Sequence, residues 1–244
     1  IENGDFVIGT FRQQSQVDEF NKSNTKNSQG VLLDITNEKD VEKGIEKIIS
    51  EHGKIDVLVN NAGMGFVGAI EETSMKEVRN VFEPNFFGTL KLTQTVLPFM
   101  RREKNGHIIQ ISSHGGIKAF AGFGIYNASK FAVKGYTEAL RLELKNTNVT
   151  PITVHPGGIK TNIAKSGRFY RGAKPNHSKS DVVALFDKLT FTTPDEAAKT
   201  ILNGVKKKKL KILIGKDAYL FDWAGRWLPE SYHRIVEKVM QAEF

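Results

Sequence analysis

Six short apolar runs punctuate the chain: DFVIGTF (5–11), GVLLDI (30–35), IDVLVNN (55–61), HIIQISS (107–113), TPITVHP (150–156) and LKILIG (210–215). Their apolar residues run on without strict alternation, as in strands covered on both faces. Between the runs, apolar positions recur at helical spacing near 38–52, 74–103, 126–146 and 195–208. Strand, helix and strand repeated in this way predict an α/β fold, a doubly wound parallel sheet in three layers. Ligands bind such sheets at the carboxyl ends of the strands. The residues to weigh are therefore those just past each run: Arg12, Asp34, Asn60 to Gly63, Ser112 and Ser113, and Pro156 to Thr161.

The interval 162–193 is the longest strand-free stretch of ambiguous structure and is rich in Lys, Arg, Ser and Phe. It predicts a mobile segment over a site, with 164–190 as the lid. With 244 residues, 39% hydrophobic and 25% charged, the chain reads as one domain spanning 1–244. The absence of cysteine excludes disulfides, a thiol nucleophile and thiolate metal ligands, and it fits a reducing, cytoplasmic setting. No uncharged apolar run approaches the ~18 residues of a membrane span. The net charge of +8 admits an anionic partner, but much of it lies in Lys206 to Lys209 with Lys211. That cluster reads as a solvated helix end, and without a recognition motif no nucleic-acid partner is expected. The six histidines show no metal-ligand spacing, so most read as surface or strand-edge residues and no metal is expected. The chain begins with Ile1 rather than Met, so a preceding segment is expected and a targeting peptide cannot be judged.

The chemistry is concentrated in GFGIYNASKFAVKGYTEALRLEL (122–144), where Tyr126 and Lys130 stand one helical turn apart. An ammonium beside a phenol favours phenolate, so Lys130 is expected to lower the Tyr126 pKa. A second Tyr-x-x-x-Lys pair, Tyr170 to Lys174, carries Gly172 and precedes Pro175, and reads as loop. GMGFVG (63–68) matches a glycine-rich dinucleotide fingerprint in letters only, because no helix opens directly after it and the next strand is more than forty residues away. The ordered set is more informative. NNAG (60–63) ends one strand, Asn85 follows Pro84 inside a helix, Ser113 ends the next strand thirteen residues before Tyr126, and HPGGIKT (155–161) ends another.

In these motifs, along essentially its whole length, the chain resembles a classical short-chain dehydrogenase/reductase. The resemblance implies a Rossmann-type fold and hydride transfer between NADP(H) or NAD(H) and a carbonyl or secondary alcohol. It makes Tyr126 the acid/base, Ser113 a hydrogen-bond donor to the substrate oxygen, and Lys130 a ligand of the nicotinamide ribose. Asn85 would hold a water linking Lys130 to solvent. Asp34 and Ile35, then Asn61, Ala62 and Gly63, would line the adenosine side of the cofactor. Pro156, Gly157, Ile159 and Thr161 would hold its carboxamide and phosphates, and Asn60 would be structural. The family's first strand and its T-G-x-x-x-G-x-G turn are not in the sequence, and the whole protein is expected to contain them. A homodimer or homotetramer is likewise implied by resemblance alone. Arg12, with no acid before Asp18, favours NADP(H). Phe120, Phe123 and the apolar residues of 164–190 favour an apolar substrate. Three rival readings are a catalytically silent dinucleotide-binding regulator, an extended-branch epimerase or dehydratase, and a basic interaction module.

Overall fold

Helix capping and buried parallel strands set the frame. The computed structural model describes residues 4–23, 26–170, 178–228, 230–232 and 234. In chain order the elements are β1 (Val7–Phe11), α1 (Gln14–Ser23), β2 (Ser28–Leu32), α2 (Glu38–His52), β3 (Val57–Asn60), β4 (Phe66–Val67), α3 (Met75–Phe82), α4 (Gly88–Arg102) and β5 (Gly106–Ile111). They continue as α5 (Gly124–Glu143), β6 (Val149–Pro156), α6 (Ile163–Ser166), β7 (Arg168–Phe169), α7 (Lys179–Leu189), α8 (Pro194–Lys206), β8 (Lys211–Ile214) and α9 (Lys216–Trp227).

Local signals explain several starts and stops. The Asn37 side chain accepts the N–H groups of Lys39 and Asp40 and opens α2, and Gly53 closes it at φ 80°. Thr193 and Glu196 form a reciprocal capping box on α8, with Pro194 at its first position. Between α3 and α4 the chain makes a π-helical turn, Glu83–Phe87, containing Pro84. The missing N–H of Pro84 favours this wider turn over continuous α-helix. The helix expected over 74–103 is thus two helices joined by an insertion at Asn85.

All strand pairs are parallel. β1 pairs with β2, the main sheet runs β3–β5–β6–β8, and β4 pairs with β7. The sheet is therefore in two parts among the described residues, and β3 pairs only with β5, leaving Val57 and Val59 46% and 50% exposed. One core nevertheless joins the parts: Leu33 and Ile35 after β2 pack in a cluster with Val41, Leu58, Val96 and Ile108. A second cluster of Ile109, Ile152, Val154, Ile212 and Ile214 fills the other face under α8.

Several boundaries move. β2 ends at Leu32 and β5 at Ile111, so Asp34 and Ser113 lie two residues beyond their strands rather than at the ends. α1, α7 and α9 were not anticipated; α1 buries only Val17, and α7 has no fully buried residue although Val182, Val183, Leu185, Phe186 and Leu189 recur at helical spacing. The interval 162–193 is not strand-free, since β7 pairs with β4 and the Arg168 guanidinium donates twice to the Glu77 carboxylate at 2.9 Å. Most of the Tyr170–Lys174 pair, and the middle of 164–190, lie outside the described residues.

Candidate active site

Tyr126 is the third residue of α5, and Lys130 follows one turn later on the same face. Lys130 is buried, its Nζ donating to the Ile111 carbonyl at 3.0 Å and standing 5.9 Å from the centroid of the Tyr126 ring. The start of α5 is tied to the end of β5 by the Ser112 hydroxyl, which donates to the Lys130 carbonyl at 2.9 Å. Burial pulls the Lys130 ammonium down to about 8.

Ser113 caps the 3-10 turn His114–Gly116, and its hydroxyl oxygen accepts the Gly115 N–H at 3.0 Å. Burial raises the Tyr126 pKa above that of a free phenol, and a hydrogen bond with Ser113 opposes the rise. The expected depression of Tyr126 by Lys130 is thus reversed. The ammonium is turned to the Ile111 carbonyl and is itself weakened by burial, so desolvation of the phenolate dominates. Tyr126 is therefore a protonated phenol beside Ser113.

Asn85 is buried in the π-helical turn. Its Oδ1 accepts the Met64 N–H at 2.7 Å, and its Nδ2 donates to the Met64 carbonyl at 3.1 Å and to Ser129 Oγ at 3.0 Å. In this arrangement Asn85 fixes the loop after β3 and makes no direct bond to Lys130. Asn60 is buried, donating to Thr93 Oγ1 at 2.9 Å, as a structural residue should.

The expected cofactor residues fall on one rim with one exception. Asn61, Ala62 and Gly63 are exposed beyond β3. A Cβ on Gly63 would stand 2.9 Å from Asn85 Oδ1 and 3.5 Å from Lys130 Nζ, so glycine leaves the approach to the ammonium open. Pro156 ends β6; the Gly157 N–H donates to the Ile214 carbonyl at 2.8 Å and the Gly158 N–H to Asp217 Oδ2 at 2.7 Å. A Cβ on Gly157 would strike the Asp217 carboxylate 2.0 Å away. Ile159 bridges Thr192, and Thr161 is exposed. Asp34 Oδ1 accepts from the N–H and hydroxyl of Thr36, at 2.9 and 2.8 Å. Ile35 is the exception: it lies in the core, its carbonyl and side chain against Gly88, rather than on the rim. Arg12 is exposed one residue past β1, with no ionic partner among the described residues. An open glycine before a buried ammonium, an exposed backbone rim and a guanidinium with no ionic partner among the described residues fit a dinucleotide.

Two histidines were misplaced by the surface or strand-edge reading. His155, inside β6, is fully buried, and its Nδ1 bonds the Ser113 carbonyl at 3.0 Å. His114 returns the contact, its Nδ1 bonding the Pro156 carbonyl at 3.1 Å. A carbonyl can only accept, so both imidazoles carry their proton on Nδ1. Burial, helped by Lys211 and Lys134, lowers His155 to about 4 against the Ser113 bond and Asp222, so it is neutral near pH 7. Burial likewise lowers His114, against the opposing charge of Asp217 and its bond to Pro156. These reciprocal bonds stitch Ser113–His114 to His155–Pro156, joining the proton-donor side of the rim to the P-G-G side. The available signal was a histidine set in an otherwise apolar run, ITVHP.

The family model described as short chain dehydrogenase matches residues 1–169. The chain is 41% identical over 181 residues to the 3-ketodihydrosphingosine reductase of Bacteroides thetaiotaomicron, covering 74% of this chain and 61% of that protein. It therefore spans less than two thirds of that relative. A short-chain dehydrogenase from Streptomyces avermitilis superposes with a TM-score of 0.81 at 32% identity, covering 99% of this chain and 90% of the other. ElxO with NADP bound superposes at 0.73 with 25% identity, covering 87% and 88%.

Two outcomes follow from this geometry. Between the folded value of about 8 and the ordinary 10.5, the unfolded chain holds more protons on Lys130 than the folded one, so stability rises with pH across that window. Lys130→Met should therefore stabilise the unliganded chain by about 2 kcal/mol at pH 7, after allowing for the lost bond to Ile111. That advantage should shrink between pH 8 and pH 10, as read from urea midpoints; a pH-independent difference would contradict the assignment. For His155, Leu should lower kcat about tenfold or more with little change in KM, by releasing the Ser113 carbonyl. His155→Asn places an amide N–H where Nδ1 stands and should restore most of the loss. Equal losses for Leu and Asn would make the role one of packing.

Proposed function

The chain belongs to the short-chain dehydrogenase/reductase family, whose members are NAD(P)-dependent oxidoreductases, and we propose that it reduces an apolar ketone, or oxidises the matching secondary alcohol, with NADP(H). The observation that carries the reading is the Ser113–Tyr126 pair with the buried Lys130 ammonium one turn behind it. The bound nicotinamide would supply or accept the two electrons as hydride.

The protein's own residues handle the oxygen. The Ser113 hydroxyl oxygen accepts from Gly115, and its hydrogen can turn to a substrate carbonyl. As hydride reaches the carbonyl carbon, negative charge grows on the oxygen, and Ser113 and Tyr126 stabilise it by donating. Tyr126, kept protonated by burial, then gives its proton to the oxygen and completes the alcohol. The phenolate left behind is steadied by Lys130, which is still mostly charged at pH 7. Oxidation runs through the same groups in reverse. Asn85 keeps the loop that bears Gly63 in register with Lys130.

Arg12 supports NADP(H), because a planar guanidinium matches a 2′-phosphate and no carboxylate among the described residues competes for it. The apolar preference rests on the surroundings of Ser113, where the ring of Phe120 meets those of His114 and Phe221 at 5.0 Å each. The Bacteroides relative, by its name, acts on a ketone of a long-chain lipid base. In the same reading the flanks of 164–190, α6 with β7 and then α7, form the substrate side and close over it.

Tyr126→Phe keeps the ring and should lower turnover by at least ~100-fold in an NADPH-consumption assay with an apolar ketone. Near-native turnover would end the proton-donor assignment. Arg12→Ala should erode a preference for NADPH over NADH, measured as the ratio of kcat/KM values. A wild-type enzyme that treats the two cofactors alike would remove the role given to Arg12.

A further inference from the structure

The outer face of α9 is used by nothing described above. Of its twelve residues, Lys216, Tyr219, Leu220, Trp223, Arg226 and Trp227 are the exposed ones. At 3.6 residues per turn all six fall within an arc of about 120°. Three aromatic rings, a leucine and two cations share that stripe, and no carboxylate does. Trp223 and Trp227 are 53% and 72% exposed, and Tyr219 is 55%.

The helix cannot roll to hide this face, because its other side is committed. Ala218 and Ala224 are buried, and Phe221 stacks on His114 with 5.7 Å between ring centroids. Asp222 pairs with Lys211 and, one turn on, with Arg226 at 3.2 Å, and Asp217 accepts from Gly158. The run Lys206 to Lys209 is also exposed and ends two residues before Lys211, so further positive charge lies close in the chain to this contact.

We propose that this face of α9 seats the protein on the surface of an anionic lipid bilayer. Tryptophan and tyrosine have an apolar body and a polar edge, which suits the headgroup boundary, and lysine and arginine are drawn to anionic lipid. A two-fold contact centred on this stripe would bring the Lys216 of one copy towards the Arg226 of the other, cation against cation. Two cations among four apolar residues are too few to track a nucleic-acid backbone. The inner face of the same helix touches His114 and Phe120, beside Ser113. One helix would therefore be both a wall of the site and the seat on the lipid, giving an apolar substrate a short path from the bilayer. That last consequence rests on the reductase reading; the docking itself does not.

The full chain would be sedimented with vesicles of phosphatidylcholine with and without phosphatidylglycerol, and its tryptophan emission followed. Binding should require phosphatidylglycerol, weaken with salt and shift the emission to shorter wavelength. The pairs Trp223→Ser with Trp227→Ser, and Lys216→Gln with Arg226→Gln, should each weaken binding about tenfold or more. Both should leave turnover of a water-soluble ketone unchanged, which shows that they fold. No binding to either vesicle, or variants that bind as well as the wild type, would overturn the proposal. So would a wild-type dimer that the tryptophan variants break up, or a preference for RNA over vesicles. Vesicle binding is read without turnover, so its failure would leave the reductase assignment standing, and a failed reductase assay would leave the binding result intact.

Discussion

A lysine ammonium buried at the mouth of a parallel sheet is the constraint around which this site is arranged. Burial makes the Lys130 ammonium a stronger acid, and among the described residues it is fixed by its hydrogen bond to the Ile111 carbonyl. Holding the charge there requires α5 to meet β5 closely, which the Ser112 bond to the Lys130 carbonyl accomplishes. It also requires an open side, and Gly63 provides one. The same dryness that costs Lys130 its solvation raises Tyr126, so the phenol stays a proton donor until negative charge appears beside it.

The remaining parts of the rim are tied to this point by backbone contacts rather than by charge. Asn85 grips both backbone groups of Met64, and the two imidazoles join the turns after β5 and β6 in opposite directions. Each link uses a neutral side chain on a backbone acceptor or donor, so it costs little desolvation and persists across neutral pH. The Asp217 carboxylate, at the start of α9, holds the P-G-G turn by accepting the Gly158 N–H. A rim assembled this way holds Tyr126 and the P-G-G turn in one fixed relation, which the proposed hydride chemistry needs.

α9 then connects the rim to the outside. Asp217 and Phe221 belong to the site, whereas Trp223 and Trp227 belong to the surface. The spacing of a helix forces that division: residues three and four apart share a face, and the residues between them do not.

What the sequence determined by itself was whatever depends on near neighbours. The strand and helix periods, the capped α2 over 38–52, the turn-long spacing of Tyr126 and Lys130, and the polar residues past each strand were all legible for that reason. The ordered motifs were enough to point to the family. What only the tertiary structure decided depends on residues far apart in the chain. His155 meets Ser113 across 42 positions, so neither its burial nor its partner could be read locally. Ile35 went to the core because α4 crosses it at Gly88, and Asp34 left its strand early. The direction of the Tyr126 shift followed from how deeply its neighbours bury it, and a helical spacing carries no information about depth.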